Sequence, residues 1–280
     1  MQSEIVPYLW FNQNAKAAAT YYSTVFNNSE ILSEQNNLVH FKIDGKRFIG
    51  CNGGPKHTIN SAVSFFVYCG SNTEIERLYT VLSTGGSVIM PLGTYPWCKK
   101  YAWVKDQFGV SWQLDIDAIN ATQNIVPSLL FTENNFTKLK EASAFYRSLF
   151  PKSISLMESP YGNTTPNVPE DTLAFTQFKL NTNIFNIISS NLEYNFSLNK
   201  GISFVIYCDT QAEIDHLWNA FTTHGGKAQQ SGWITDHYGV SWQIIPTVLN
   251  QLLADSKRAP KITEALLKMT NIDITTLQEV

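Results

Sequence analysis

Five histidines, four cysteines and two Trp-Gln pairs are the side chains in this chain whose types could do chemistry. His40, His57, His216, His224 and His237 form no HxH or HxxxH pair. Those are the spacings that turn two imidazoles toward one metal ion. Cys51, Cys69, Cys98 and Cys208 include no CxxC pair, so neither a thiolate clamp nor a dithiol redox motif is spelled out. Cys98 stands in YPWCKKY beside Lys99 and Lys100, whose charges would lower a thiol pKa, but no histidine is placed as its base. Gln113 and Gln243 each follow a tryptophan, Trp112 and Trp242, inside FGVSWQL (108–114) and YGVSWQI (238–244). An amide beside an indole can orient a polar ligand; equally, the tryptophan can be core and the glutamine can pair neighbouring backbone. Asp106 and Asp236 precede the Gly109 and Gly239 turns and read as turn formers. NGGP at 52–55 could cradle an anion on its backbone N–H groups, but it lacks a GKS/T continuation, and its counterpart SSNL (189–192) has no glycine. A turn is the simpler reading.

These residues sit in a duplicated chain. IVPYLWF (5–11) recurs as IVPSLLF (125–131), VSFFVYC (63–69) as ISFVIYC (202–208), STGGSV (83–88) as THGGKA (223–228), and the heptads are 130 positions apart. Order is kept while the offset drifts, which is domain duplication and not a short-period solenoid. The expected bounds are 1–117 for the first copy, 118–124 for a polar linker, 125–246 for the second copy and 247–280 for a helical tail. The second copy gains the turn-rich ESPYGNTTPNVPED (158–171), expected to be an exposed loop. It loses most of the hairpin spanning 90–104.

Within each copy, periodicity alternates. VPYLWF is β-rich; Ala17, Tyr21, Tyr22 and Val25 follow at helical spacing; three short strands come next. A second round starts with AVSFFVYC and a helix carrying Ile75, Leu78, Val81 and Leu82 on one face, with Thr73 as the expected cap and Gly85-Gly86 as the stop. Each copy reads βαβββ-βαβββ, an α+β arrangement of four modules. The tail, with VLNQLL and APKITEALLKM, reads as helical. A net charge of −3 gives no basic footprint for nucleic acid, and no apolar run is long enough to span a bilayer. The start, MQSEIVPYLWF, lacks the pattern of a secretion signal, so a cytoplasmic setting with reduced thiols is expected.

Four βαβββ modules, VPYLWFNQNAKAAATYY, CNGGPKHTINSAVSFFVYC, DQFGVSWQL and SGWITDHYGVSWQIIP together resemble the vicinal oxygen chelate superfamily of glyoxalases, extradiol dioxygenases and bleomycin-resistance proteins. The resemblance is closest to its PhnB-like branch, whose domains carry the label 3-demethylubiquinone-9 3-methyltransferase. It implies two glyoxalase-like cups built from four modules, a pseudo-dimer within one chain, working as a monomer or as a homodimer. It also implies a small-molecule ligand in an aromatic-lined cup. The expected lining is Trp10, Asn52, Trp97, Trp103 and Trp112 with Gln113, and Trp233 and Trp242 with Gln243.

Enzymes of that superfamily hold a divalent metal on His and Glu side chains. Here those positions fall at about Pro7 and Pro127, Ala62 and Gly201, Asn52 and Ser189, and Gln113 and Gln243. Neutral amides without histidine partners do not hold Zn²⁺ or Mn²⁺, so neither metal nor cofactor is expected. Two alternatives stand beside this. One is a metal-dependent lyase, isomerase or dioxygenase with unusual ligands such as Asn52 and Gln113; the other is a second copy reduced to a scaffold. The methyltransferase label is not supported as chemistry, because no glycine-rich SAM-type loop is present.

Overall fold

A computed structural model describes residues 4–35, 37–116, 123–162 and 168–280. The first module is β1 (Ile5–Phe11), α1 (Ala15–Val25), β2 (Glu30–Gln35), β3 (Leu38–Ile43) and β4 (Lys46–Asn52). The second is β5 (Val63–Tyr68), α2 (Asn72–Ser83), β6 (Ser87–Tyr95), β7 (Cys98–Lys105) and β8 (Ser111–Asp115). The third is β9 (Ile125–Phe131), α3 (Leu139–Ser148), β10 (Ile154–Pro160), β11 (Leu173–Leu180) and β12 (Asn183–Ser189). The fourth is β13 (Ile202–Cys208), α4 (Gln211–Thr223), β14 (Lys227–Ala228), β15 (Trp233–Thr235) and β16 (Ser241–Pro246).

The modules assemble crosswise. One eight-stranded sheet has the order β14-β15-β16-β13-β1-β4-β3-β2, and the other β10-β11-β12-β9-β5-β8-β7-β6. The first sheet therefore joins modules one and four through the antiparallel β1–β13 pair, with Tyr8 opposite Ser203. The second joins modules two and three through β5–β9, with Ser64 opposite Ser128. Neither repeat owns a sheet. A second copy serving only as scaffold for a self-contained first copy is therefore not the arrangement seen, since every cup draws half its wall from each copy.

Strand alternation sets the two faces. In β5, Val63, Phe65 and Val67 enter the main core, while Phe66 and Tyr68 belong to a separate apolar cluster on the other face. The helices cover the first face, and their apolar stripes merge with both sheets into one core. On α1 the buried stripe is Ala15, Ala18, Ala19, Tyr22 and Val25, so Ala17 of the expected set is exposed. On α2 the cap is Ser71 and not Thr73. Its hydroxyl accepts from Glu74 N at 3.1 Å while the Glu74 carboxylate accepts from Gly70 N at 2.8 Å, a reciprocal pair like a capping box but reaching one residue further back. Thr210 and Glu213 repeat it on α4.

The tail forms α5 (Val248–Ala254), α6 (Ala259–Lys268) and α7 (Ile274–Glu279), joined by Leu249, Leu252, Ile262, Ile272 and Leu277 and docked on Ile245. Its Met269 and Thr270 carbonyls accept from Ser231 N at 2.8 Å and Gly232 N at 3.0 Å, at the shortened hairpin of module four. Gly232 is needed there: a Cβ would sit 2.5 Å from Ile244 O and 2.9 Å from Ile272 Cδ1. Of the turn-rich 158–171 insertion, residues 158–160 extend β10, and 163–167 lie outside the described residues; so does most of the 118–124 linker.

Candidate functional site

The repeated heptad is first a folding device. Asp106 Oδ1 accepts from Phe108 N at 2.8 Å and Val110 N at 3.0 Å, closing the turn. Its Oδ2 accepts from Trp112 Nε1 and from the Tyr22 hydroxyl of α1, both at 2.8 Å. Asp236 repeats every contact with Tyr238 N, Val240 N, Trp242 Nε1 and the Tyr146 hydroxyl. Burial raises both carboxyls above the usual carboxylate range, opposed by the four donors around each. Trp112 and Trp242 are thus in the helix-side core, 0% and 1% exposed, and cannot touch a ligand on the opposite face. Each following glutamine points the other way.

On the second sheet's helix-free face, Gln113 Nε2 donates to Ser64 Oγ at 2.7 Å, and the Tyr101 hydroxyl donates to Gln113 Oε1. Across β9, Gln177 Nε2 donates to Asn186 Oδ1 and to the Tyr68 hydroxyl, each at 3.0 Å. Phe66, Val126, Leu130 and Ile184 surround these groups, with Trp103 buried among them. Tyr194 and Phe196 of the segment before β13 pack over this face. Trp97, 60% exposed, stacks on Tyr95 at the hairpin tip. Cys98 corrects the expectation from its neighbours. Its thiol is buried and donates to Asp115 Oδ1 at 3.0 Å, which pushes its pKa up to about 11, while Lys100 turns to Glu76. A thiol so held is a poor nucleophile.

On the first sheet's helix-free face, Gln243 Nε2 donates to Ser203 Oγ at 2.9 Å and lies opposite Trp233. Trp233 meets Tyr8 edge-on at 5.9 Å. Trp10 donates from Nε1 to Gly54 O at 2.9 Å and meets the His57 ring at 4.8 Å. That contact explains NGGP: a Cβ on Gly53 would fall 2.0 Å from the Trp10 ring, so the glycine admits an indole and not an anion. Val6, Ile49 and Val205 form the floor with Tyr8 and Tyr207. Asn52 is not in this cup. Its Oδ1 accepts from Ala15 N at 2.9 Å, capping α1 on the helix side.

The positions where the superfamily would place a metal do not fit one. Pro7 and Pro127 alternate with the cup-facing Tyr8 and Ser128 and so face the helices. Ser189 Oγ is spent on Leu173 O at 2.7 Å. Asn52 and Gln113, the pair an unusual metal site would need, stand in different sheets. The polar side chains on the cup faces include Tyr8, Ser203 and Gln243 in one, and Ser64, Gln113, Gln177 and Asn186 in the other. No cluster of three or more His, Cys, Asp or Glu side chains occurs among the described residues. A neutral hydroxyl and amide set lacks the charge and the imidazoles that hold a divalent ion.

A separate cleft is lined by Phe26, Asp44, Tyr68, Glu74, Arg77 and Asn124. Its polar groups are already engaged: Asn124 Nδ2 donates to Asp44 Oδ2 at 2.9 Å, Gly70 N to Glu74 Oε2 at 2.8 Å, and Arg77 Nη1 to Val25 O at 2.9 Å.

The family described as 3-demethylubiquinone-9 3-methyltransferase matches this chain twice, over residues 3–115 and 123–245. A PhnB protein from Bacillus cereus with that same description is 32% identical over 39% of this chain and 96% of its own, with a TM-score of 0.37. A Staphylococcus aureus protein is 30% identical over 41% of this chain and 96% of its own, with a TM-score of 0.20. Glyoxalase I from Zea mays is only 11% identical but covers 90% of this chain and 97% of its own at a TM-score of 0.59, a likeness of fold. None of the curated proteins matches. The methyltransferase words name the family and do not establish the reaction. The chain belongs to this PhnB-like family, as a tandem double copy in the glyoxalase/dioxygenase fold.

Proposed function

We propose that this protein binds a small aromatic or amphipathic molecule in its cups without help from a metal ion. The observation that carries the reading is the chemistry of the cup faces: aromatic walls around neutral, hydrogen-bonding side chains. In the first sheet Tyr8, Trp10, Tyr207 and Trp233 are only partly buried, so aromatic surface is open to a ligand there. In the second, Gln113 and its partners are closed beneath Tyr194 and Phe196. Such faces favour flat molecules with a few polar groups. One chain supplies both cups, so a monomer is sufficient. All four cysteines are unpaired and buried, in keeping with a reducing cytoplasm. No helix among the described residues is long and apolar enough to cross a membrane.

A thermal-shift screen of small aromatic metabolites on the full chain, in the presence of EDTA, tests this. At least one compound should raise the midpoint by several degrees, unchanged by the chelator. Stabilisation only after a divalent metal is added, or by no compound at all, rejects the reading.

A further inference from the structure

We propose, building on that reading, that the second-sheet cup takes an uncharged ligand with two hydrogen-bond acceptors, one for the Trp103 indole N–H and one for the Ser128 hydroxyl. A polar belt crosses this face from strand to strand. Gln177 on β11 lies opposite Asn186 on β12, Asn186 opposite Ser128 on β9, and Ser128 opposite Ser64 on β5. Gln113 on β8 reaches Ser64 and lies opposite Trp103 on β7. All six side chains are between 0% and 7% exposed.

Most of the belt is satisfied internally, as buried polar groups must be. Two members are not: Trp103 Nε1 and Ser128 Oγ have no partner although both are buried. Trp112 and Trp242 each have the N–H fixed on a carboxylate at 2.8 Å, whereas the buried Trp103 N–H has no hydrogen-bond partner. Two unspent groups on one closed face are what a ligand's acceptors would complete.

Charge follows from the same belt. Its side chains are amides, hydroxyls and an indole, and burial keeps the Tyr68 and Tyr101 phenols un-ionised. An ion entering would lose its hydration without gaining a counter-ion inside the belt. Asp115 at the sheet end, already accepting from Cys98, would repel an anion further.

The indole N–H resonances of ¹⁵N-labelled full-length protein provide the test, with the Trp103 peak assigned by its loss in Trp103→Phe. The probes are nicotinamide, coumarin and phthalimide, each uncharged with two acceptors. Their charged controls are nicotinate, coumarin-3-carboxylate, phthalate and the cation of 3-picolylamine. The neutral probes should shift the Trp103 peak at concentrations where the charged ones do not. Ser128→Ala, read at the Trp103 peak, and Trp103→Phe, read by thermal shift, should each weaken that binding by about tenfold, the loss of one buried hydrogen bond. Lys16→Ala, on the exposed outer side of α1, should leave it unchanged. Preferential binding of a charged probe at the Trp103 peak overturns the proposal, as does neutral binding indifferent to both variants. Shifts confined to Trp10 and Trp233 place the ligand in the first cup, which defeats this proposal while the general binding reading survives. No shift of any indole by any probe defeats the proposal; the broader screen then decides the general reading separately.

Discussion

Replacing Asp106 with asparagine is the sharpest test of how the repeated heptad holds the fold. Oδ1 of the new amide can still accept from Phe108 N and Val110 N. At the other position an NH₂ group replaces Oδ2 and faces the two donors that Oδ2 served, the Tyr22 hydroxyl and Trp112 Nε1. The tyrosine hydroxyl can rotate and accept, but an indole N–H only donates. One buried donor is stranded and a charge-assisted bond is lost, a cost of about 3 kcal/mol in all. That should lower the thermal midpoint by about 2–4 °C for each kcal/mol. Asp236→Asn should cost the same, because its four contacts match. The assay is urea unfolding followed by tryptophan fluorescence. Acidity supplies a second arm. Burial holds both carboxyls above the ordinary range, so the folded state takes up protons before the unfolded chain does. Their contribution to stability therefore grows as pH falls from the raised value toward the ordinary one. The gap between wild type and Asp106→Asn should widen over that interval. A variant within about 0.5 kcal/mol of wild type, or a gap that narrows on acidification, would refute the reasoning.

Other perturbations follow from the same contacts. Gly53→Ala should destabilise by about 1–3 kcal/mol and change the Trp10 fluorescence, because its Cβ would enter the indole; an unaltered emission spectrum would count against that packing. Lys46 Nζ donates to Asn183 Oδ1 at 3.1 Å and Ile5 O at 3.3 Å, and burial lowers its pKa to about 8. The folded state thus holds fewer protons than the unfolded one between about pH 8 and the ordinary lysine range, so stability should rise across that window. Lys46→Met should flatten the rise, as read by urea midpoints at several pH values. Truncation after Pro246 should expose Ile245 and free the Ser231 and Gly232 amides, lowering the thermal midpoint; an unchanged midpoint would mean the tail only decorates the fold.

Much of the fold was legible because alternation and turns are local signals. The four βαβββ modules, their helices and the turns between their strands all follow from periodicity and punctuation. What did not follow was which module pairs with which. β1 could satisfy its alternation beside β5 or beside β13, and only tertiary packing selects β13, some 200 residues away. The same blindness put Asn52 in a cup and both heptad tryptophans beside a ligand. Asn52 ends a strand one residue past the cup-facing Cys51, where its amide meets a helix start instead. Asp106 was readable as a turn former through Oδ1, but the bonds of Oδ2 reach a helix 84 positions away. One signal for them was available: the Asp, Gly and Trp recur at fixed spacing in both copies, and the first helix of each copy carries the tyrosine that meets the Asp. For Cys98 only the direction of the pKa was illegible, because adjacent lysines are visible in a sequence and burial beside Asp115 is not.

Freshly purified full-length protein, denatured and analysed in parallel for elements and for released organic molecules, weighs the central claim directly. A small neutral organic compound recovered in proportion to protein, with transition metals well below one per chain, is the predicted result. One equivalent of zinc, manganese, iron or nickel per cup, lost in Gln113→Ala or Gln243→Ala, would contradict it.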